Sequence, residues 1–220
     1  QGRLSLAVIT TAKYFAPRLL GSFCKKYPGI DVSLTVTNHQ EVIRRMMENQ
    51  DDLYILSQPP EDLDISSHPF LDNPLVVLAP KNHHLVGRQN VPIQALNDQQ
   101  FIMRESGSGT RVAVQDLFAK NKVSVKVRLE LGSNEAIKHA IAGGLGISVL
   151  SQHCITSDMS NSELAILDIQ NFPIMRRWYM THLAGKQLSI IAQTFLEFLL
   201  VESQKMPSFQ KSRDLESASY

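Results

Sequence analysis

Few features of these 220 residues suggest chemistry at first sight, and each absence removes a class of function. Only two cysteines occur, Cys24 and Cys154, and neither sits in a close Cys or His cluster. A structural metal site therefore lacks its usual ligand spacing. Both are expected to be reduced, buried thiols, which suits a cytoplasmic protein. The seven histidines, His39, His68, His83, His84, His139, His153 and His182, form no metal pattern either. No apolar run approaches the roughly 20 residues of a membrane span. Gln1 is followed at once by a strand-like pattern instead of a secretory leader, and it stands where an initiator Met would, so a longer parent chain is expected. Charge of one sign is also missing: 22 basic against 21 acidic residues leave a net +1. The basic doublets Lys25-Lys26, Arg44-Arg45 and Arg176-Arg177 lie far apart and read as solvated edges, so this chain alone is no polyanion binder.

Enzyme signatures are absent as well. A nucleophile elbow needs glycine two residues either side of its serine, but Ser106 and Thr110 flank Ser108, and Arg104 and Ser108 flank Ser106. A Walker loop would need Gly-Lys-Ser/Thr, which does not occur. No enzymatic activity, metal or cofactor is expected.

What is present is a rhythm of strands and helices. Residues 3–10 are apolar at Leu4, Leu6 and Val8 and on through Ile9, which suits a buried strand. A helix follows over 14–26 with Phe15, Leu19, Leu20 and Phe23 on one face, Pro17 in its first turn and Pro28-Gly29 at its end. Strand 30–36, helix 39–49 with Val42, Ile43, Met46 and Met47 inward, and strand 53–56 complete a β-α-β-α-β unit with parallel pairing. A turn-rich stretch over 58–74 leads to strand 75–80. The order then restarts: strand 101–103, helix 110–120, strand 125–131, helix 134–142 behind Ser133, and strand 146–150. Strand 178–183 and helix 189–201 close the pattern, and residues 207–220 are polar enough to predict a disordered tail. The expected fold class is therefore α/β, with two Rossmann-like lobes joined by two crossover strands. Residues 1–77 and 179–206 would form lobe one and 78–178 lobe two.

Several strand ends would face one cleft, where open α/β sheets bind ligands. They are Thr10, Thr11 and Lys13; Thr37 and Asn38; and Ser133 and Asn134. The loop ESGSGTR, 105–111, adds Ser106, Gly107, Ser108 and Thr110 at a strand end and helix start, where free N–H groups and the helix dipole favour an anion. Arg104 and Arg111 flank it and offer bidentate grips for carboxylate or phosphate. A plain capped turn explains ESGSGTR equally well, and Thr10-Thr11 reads as readily as an N-cap. Trp178 and Tyr179 read as core aromatics.

One family matches these stretches in order. GRLSLAVITTAKYFAPRLLGSFCKKYPGIDVSL, DDLYIL, PLVVLAPKNHHL, SNEAIKHAIAGGLGISVLS and LSIIAQTFLEFL resemble the effector-binding domain of LysR-type transcriptional regulators, across residues 2 to about 202. AKYFAPRLL and ESGSGTR resemble the subgroup that controls carbon-fixation and inorganic-carbon-uptake genes. Ser151 departs from the family, where many members carry proline. The resemblance implies a type 2 periplasmic-binding-protein-like fold and an effector held between the lobes by the turns named above. It also implies a homodimer or homotetramer, formed through helices near Leu19 and Val42, and DNA contact through an upstream winged helix-turn-helix. The effector would be a small anionic metabolite: a phosphorylated acid or sugar such as 2-phosphoglycolate or ribulose bisphosphate, or the dicarboxylate 2-oxoglutarate. The alternative use of this architecture is a solute-binding protein of a transport system.

Overall fold

The computed structural model describes residues 2–155 and 163–206; the tail expected over 207–220 lies outside the described residues. Strand β1 (Gly2–Ile9) buries Leu4 and every residue from Leu6 to Ile9, as these apolar positions require, because it lies between two parallel neighbours. On one side β2 (Ile30–Thr37) pairs with it in register from Gly2↔Ile30 to Ile9↔Thr37; on the other lies β3 (Leu53–Leu56). Helix α1 (Ala16–Lys26) starts two residues later than the sequence suggests. A 3-10 turn over Thr10–Tyr14 intervenes, and Pro17 falls in the first helical turn as expected. Helix α2 (His39–Met47) buries Val42 and Met46, but Met47 is 61% exposed, contrary to the inward placement the pattern suggests. Consecutive helical positions diverge by about 100°, so Met46 and Met47 cannot share one narrow face.

The largest departure is β4 (Ile65–Pro80), whose first half the sequence presents as turns. It is held by antiparallel pairing with β9 (Ile174–Leu183), from Ile65↔Leu183 to Leu75↔Ile174, with a register shift between Pro69 and Leu71. Proline is tolerated beside such an irregularity because one ladder hydrogen bond is already lost there. Beyond Leu75 the same strand pairs with β7 (Ser148–Ser151) and β8 (Leu164–Leu167), the latter not foreseen. Strands β4 and β9 thus run through the whole molecule, giving a sheet ordered β2-β1-β3-β9-β4-β7. A separate parallel pair, β5 (Gln100–Arg104) and β6 (Lys126–Leu131), packs with α3 (Gly109–Lys120) and α4 (Asn134–Ala142).

Apolar packing divides accordingly. One core gathers residues from Leu4 to Leu71 and from Trp178 to Leu199, including Phe195 and Leu199 of α5 (Ile190–Ser203). Two others draw on residues between Leu75 and Ile174, with Tyr14 from the first half of the chain packed against one of them. An aromatic cluster sits at the crossing: Phe15 meets Trp178 at 5.0 Å and Phe70 at 6.0 Å in edge-on geometry, and His153 stands 5.4 Å from Phe15. Trp178 is fully buried, as a core aromatic should be. Ser151 explains itself: its hydroxyl donates to Asn73 Oδ1 at 2.6 Å and accepts from the His153 N–H at 3.3 Å, and a proline could do neither. Both cysteines are free thiols, but Cys24 is only half-buried.

Candidate functional site

The cleft between the lobes is lined by element ends. On the lobe-two side β5 stops at Arg104, and Ser108 caps α3 by accepting the Arg111 N–H at 3.4 Å. Ser108 is 3% exposed and occupied, so of the loop hydroxyls only Ser106 and Thr110 stay uncommitted. Gly107 holds φ at +86°, a left-handed conformation in which glycine carries no side-chain penalty. That turn presses the loop onto lobe one: a Cβ on Gly107 would lie 3.1 Å from Gln40 Oε1 and 3.7 Å from Asn38 Nδ2. Asn38 caps α2, accepting the Glu41 N–H at 2.9 Å. Thr10 does not act as a cap; its hydroxyl donates to the Thr37 carbonyl at 3.1 Å and ties the β1 and β2 ends together.

A buried polar chain crosses the cleft floor. Arg104 Nη1 donates to Asn134 Oδ1 at 2.9 Å, and Asn134 Nδ2 donates to Thr11 Oγ1 at 3.3 Å. The rest of the Arg104 fork is engaged by Glu105, at 2.7 and 2.8 Å. Arg111 Nη1 contacts Glu130 Oε2 at 2.6 Å and the Arg104 carbonyl at 3.0 Å, and the Arg111 guanidinium holds the Glu130 carboxyl below its ordinary range. Both arginines that flank the loop are therefore neutralised within lobe two. Ser133 is exposed and caps α4 through the Ala136 N–H at 3.3 Å. Lys13 lies over the Tyr14 ring, 5.1 Å from its centroid. Tyr14 reaches into lobe two, where its hydroxyl donates to the Glu135 carboxylate. Lys138 Nζ pairs with that carboxylate at 2.9 Å and donates to the Cys154 carbonyl at 2.8 Å. Burial pushes the Cys154 thiol up to about 11, so it stays protonated and unreactive at neutral pH.

Sequence reasoning missed one charge that reaches the loop from outside it. Arg176, read as half of a solvated doublet, points inward, with Nη1 donating to the Gly109 carbonyl at 3.1 Å and Nη2 to the Gln58 side-chain oxygen. Arg177 is more exposed and faces Asp72, 3.9 Å away. Period-two alternation would have separated them, because Arg176 shares a strand face with Trp178 and Met180, both fully buried. His39 lies beside it, and burial, then the Arg176 charge, holds its imidazole below the ordinary value. An open groove of about 580 Å3 at His68, His182 and Lys186 shares no residue with this cleft.

The groups gathered here are hydroxyl, amide and guanidinium groups, with no nucleophile and base hydrogen-bonded together among them. Among the described residues, no three His, Cys, Asp or Glu side chains gather as metal ligands, and no helix is long and apolar enough to cross a membrane.

Comparison with known proteins gives the arrangement its context. A Synechocystis transcriptional activator, CmpR, is 48% identical over 204 residues, covering 93% of this chain and 67% of its own length. A RuBisCO operon transcriptional regulator of Acidithiobacillus ferrooxidans is 45% identical over 203 residues, 92% of this chain and 66% of that protein. The chain thus spans about two thirds of the length of these curated relatives. Among solved structures, the regulatory domain of Synechocystis CcmR in complex with 2-PG superposes with a TM-score of 0.92. It is 66% identical, and the match covers 94% of this chain and all of that one. The QuiR effector-binding domain, at 24% identity and a TM-score of 0.82, shares the fold. With the LysR substrate binding domain family matching residues 1–203, this chain belongs to that family and has its type 2 periplasmic-binding-like fold.

Proposed function

We propose that this chain is the effector-sensing part of a LysR-type regulator of carbon-fixation or inorganic-carbon-uptake genes, binding 2-phosphoglycolate or a similar small anion between its lobes. The observation that carries this reading is the cleft itself. Across it Thr11 meets Asn134 and the Gly107 turn meets Asn38, in a chain 66% identical to a regulatory domain solved with 2-PG; Thr10, Ser106 and Thr110 are proposed to complete the site. Residues 1–77 and 179–206 are the expected lobe one and 78–178 the expected lobe two, with β4 and β9 as the hinge; apolar packing favours a changeover a few residues away, since Leu75, Val76 and Val77 pack with lobe two and Trp178 with lobe one. The mechanism is population shift: an anion that binds one lobe arrangement more tightly biases the hinge by its differential affinity. A homodimer or homotetramer carries that bias to an upstream winged helix-turn-helix that contacts DNA in the cytoplasm. The proposed role of the cleft is binding without turnover, in keeping with relatives that are transcription regulators and with Ser108 being committed to capping. The relatives named above are transcription regulators, which favours sensing over transport capture.

Calorimetric titration with 2-phosphoglycolate, ribulose bisphosphate and 2-oxoglutarate tests this. One ligand should saturate, and at about 100 times its Kd should stabilise the fold by about 2.7 kcal/mol. That corresponds to a rise of roughly 5–11 °C in Tm. Silence with all three would remove the effector assignment.

A further inference from the structure

Strand β9 carries into the cleft a charge that its surroundings leave uncompensated. The Arg176 guanidinium has five N–H groups, and the bonds to Gly109 and Gln58 engage neutral acceptors only. Among the described residues, the other arginines that are not exposed, Arg45, Arg104 and Arg111, each lie within ion-pair distance of a carboxylate, whereas Arg176 does not; Arg3, Arg18, Arg88 and Arg128 have none either, but all four are exposed. Asp116 on α3 acts on it only at longer range, and burial outweighs that acid and draws its pKa down. Placing an unpaired charge in such a setting is costly unless something answers it.

Two further polar groups point to the same spot. The Nδ1 atom of His39 is buried with no hydrogen-bond partner, and Ser57 is 6% exposed at the end of β3. A Cβ on Gly109 would lie 3.6 Å from Arg176 Nη1, 3.7 Å from Ser57 Oγ and 3.8 Å from His39 Nδ1. A guanidinium, a hydroxyl and an imidazole nitrogen, from three separate elements, thus surround a loop position that has no side chain. Gly109 does not need its backbone freedom, because its φ lies outside the left-handed region; the room it leaves is what matters.

We infer that Arg176, His39 and Ser57 form the anchor for the doubly charged, tetrahedral end of the effector, a phosphoryl group, and so set its preference over carboxylates. This rests on the cleft reading above. A phosphate monoester brings a charge near −2 and three strong acceptor oxygens. Donors of three kinds around one point suit that shape better than the two coplanar oxygens of a carboxylate. Arg176 now links Gln58 in lobe one to Gly109 in lobe two, so an oxyanion gripping its free N–H groups would join both lobes.

The test compares 2-phosphoglycolate with diglycolate, a molecule of similar length that carries a carboxylate in place of the phosphoryl group. Wild type should prefer the phosphoester by at least about tenfold, the scale of one charge-assisted hydrogen bond. Arg176→Gln should erase that preference, and Arg176→Lys should keep part of it. Gly109→Ala, which sets a methyl group among the three polar atoms, should weaken the phosphoester more than diglycolate, and it serves if Arg176→Gln fails to fold. Full affinity and full preference in a folded Arg176→Gln, or in Gly109→Ala should that stand in for it, would overturn the anchor. If wild type binds neither compound, 2-phosphoglycolate is not its effector, and that part of the functional reading fails by itself. Inorganic phosphate, followed by the His39 ring resonances, then decides the anchor: a shift lost in Arg176→Gln, or in Gly109→Ala, upholds it, and none in wild type refutes it.

Discussion

At the level of single residues, what the sequence could not reveal was the partner of each side chain. Ser106, Ser108 and Thr110 look interchangeable as letters, yet only Ser108 closes a helix end, and Arg104 and Arg111 were legible as charges near the loop but not as charges already answered by Glu105 and Glu130. Ser108→Ala is therefore expected to lower stability by about 1 kcal/mol, the usual worth of an N-cap, measured by urea denaturation. Ser106→Ala and Thr110→Ala should instead leave the midpoint unchanged and weaken 2-phosphoglycolate in calorimetry; unchanged affinity in both would end their assignment to the effector. Asn134→Ala strips one partner from Arg104 and one from Thr11 in a buried place, so a loss of about 1–3 kcal/mol is expected. A smaller loss would mean that water or a shifted side chain replaces it.

Among elements, those with a clean local signal were legible. Strand β3 occupies Leu53–Leu56 and α4 Asn134–Ala142, as periodicity and the Ser133 cap indicate. Elements held by distant partners were not. Before Leu75, β4 carries Pro69, Asp72, Asn73 and Pro74, and its ladder with β9 is what makes this stretch a strand. Strand β9 itself begins four residues before the apolar signal at Trp178, and that shortfall concealed Arg176. Close approaches between segments are similarly invisible in one dimension. At Gly146 φ is +151° and a Cβ would stand 2.5 Å from the Gln100 carbonyl oxygen, where the chain enters β7 beside β5. Because the obstacle is backbone, Gly146→Ala should destabilise by about 3 kcal/mol or more, strain and displacement together. A thermal midpoint within a degree of wild type would contradict the packing described there.

Over the whole molecule, both lobes and their order were legible, but the seam between them was not. It contains Tyr14 with Glu135, Thr11 with Asn134, and two imidazoles, His39 and His153. His153 Nε2–H donates to the Asp72 carbonyl at 2.7 Å, and burial is the leading cause that depresses both rings below the ordinary 6.5. A ring whose folded pKa is depressed binds fewer protons folded than unfolded, so its stabilisation is complete above about pH 6.5 and is lost as pH falls towards the depressed value. Urea midpoints should accordingly decline between about pH 7 and pH 5, and His153→Gln should flatten that decline; an identical slope in the variant would contradict it. The central claim, that an anion binds where the lobes meet, is tested most directly by amide hydrogen exchange with and without 2-phosphoglycolate. Added protection is expected at residues 10–14, 38–41, 105–111 and 174–178 together. Protection confined to the groove at His68, His182 and Lys186, or to one lobe alone, would contradict it.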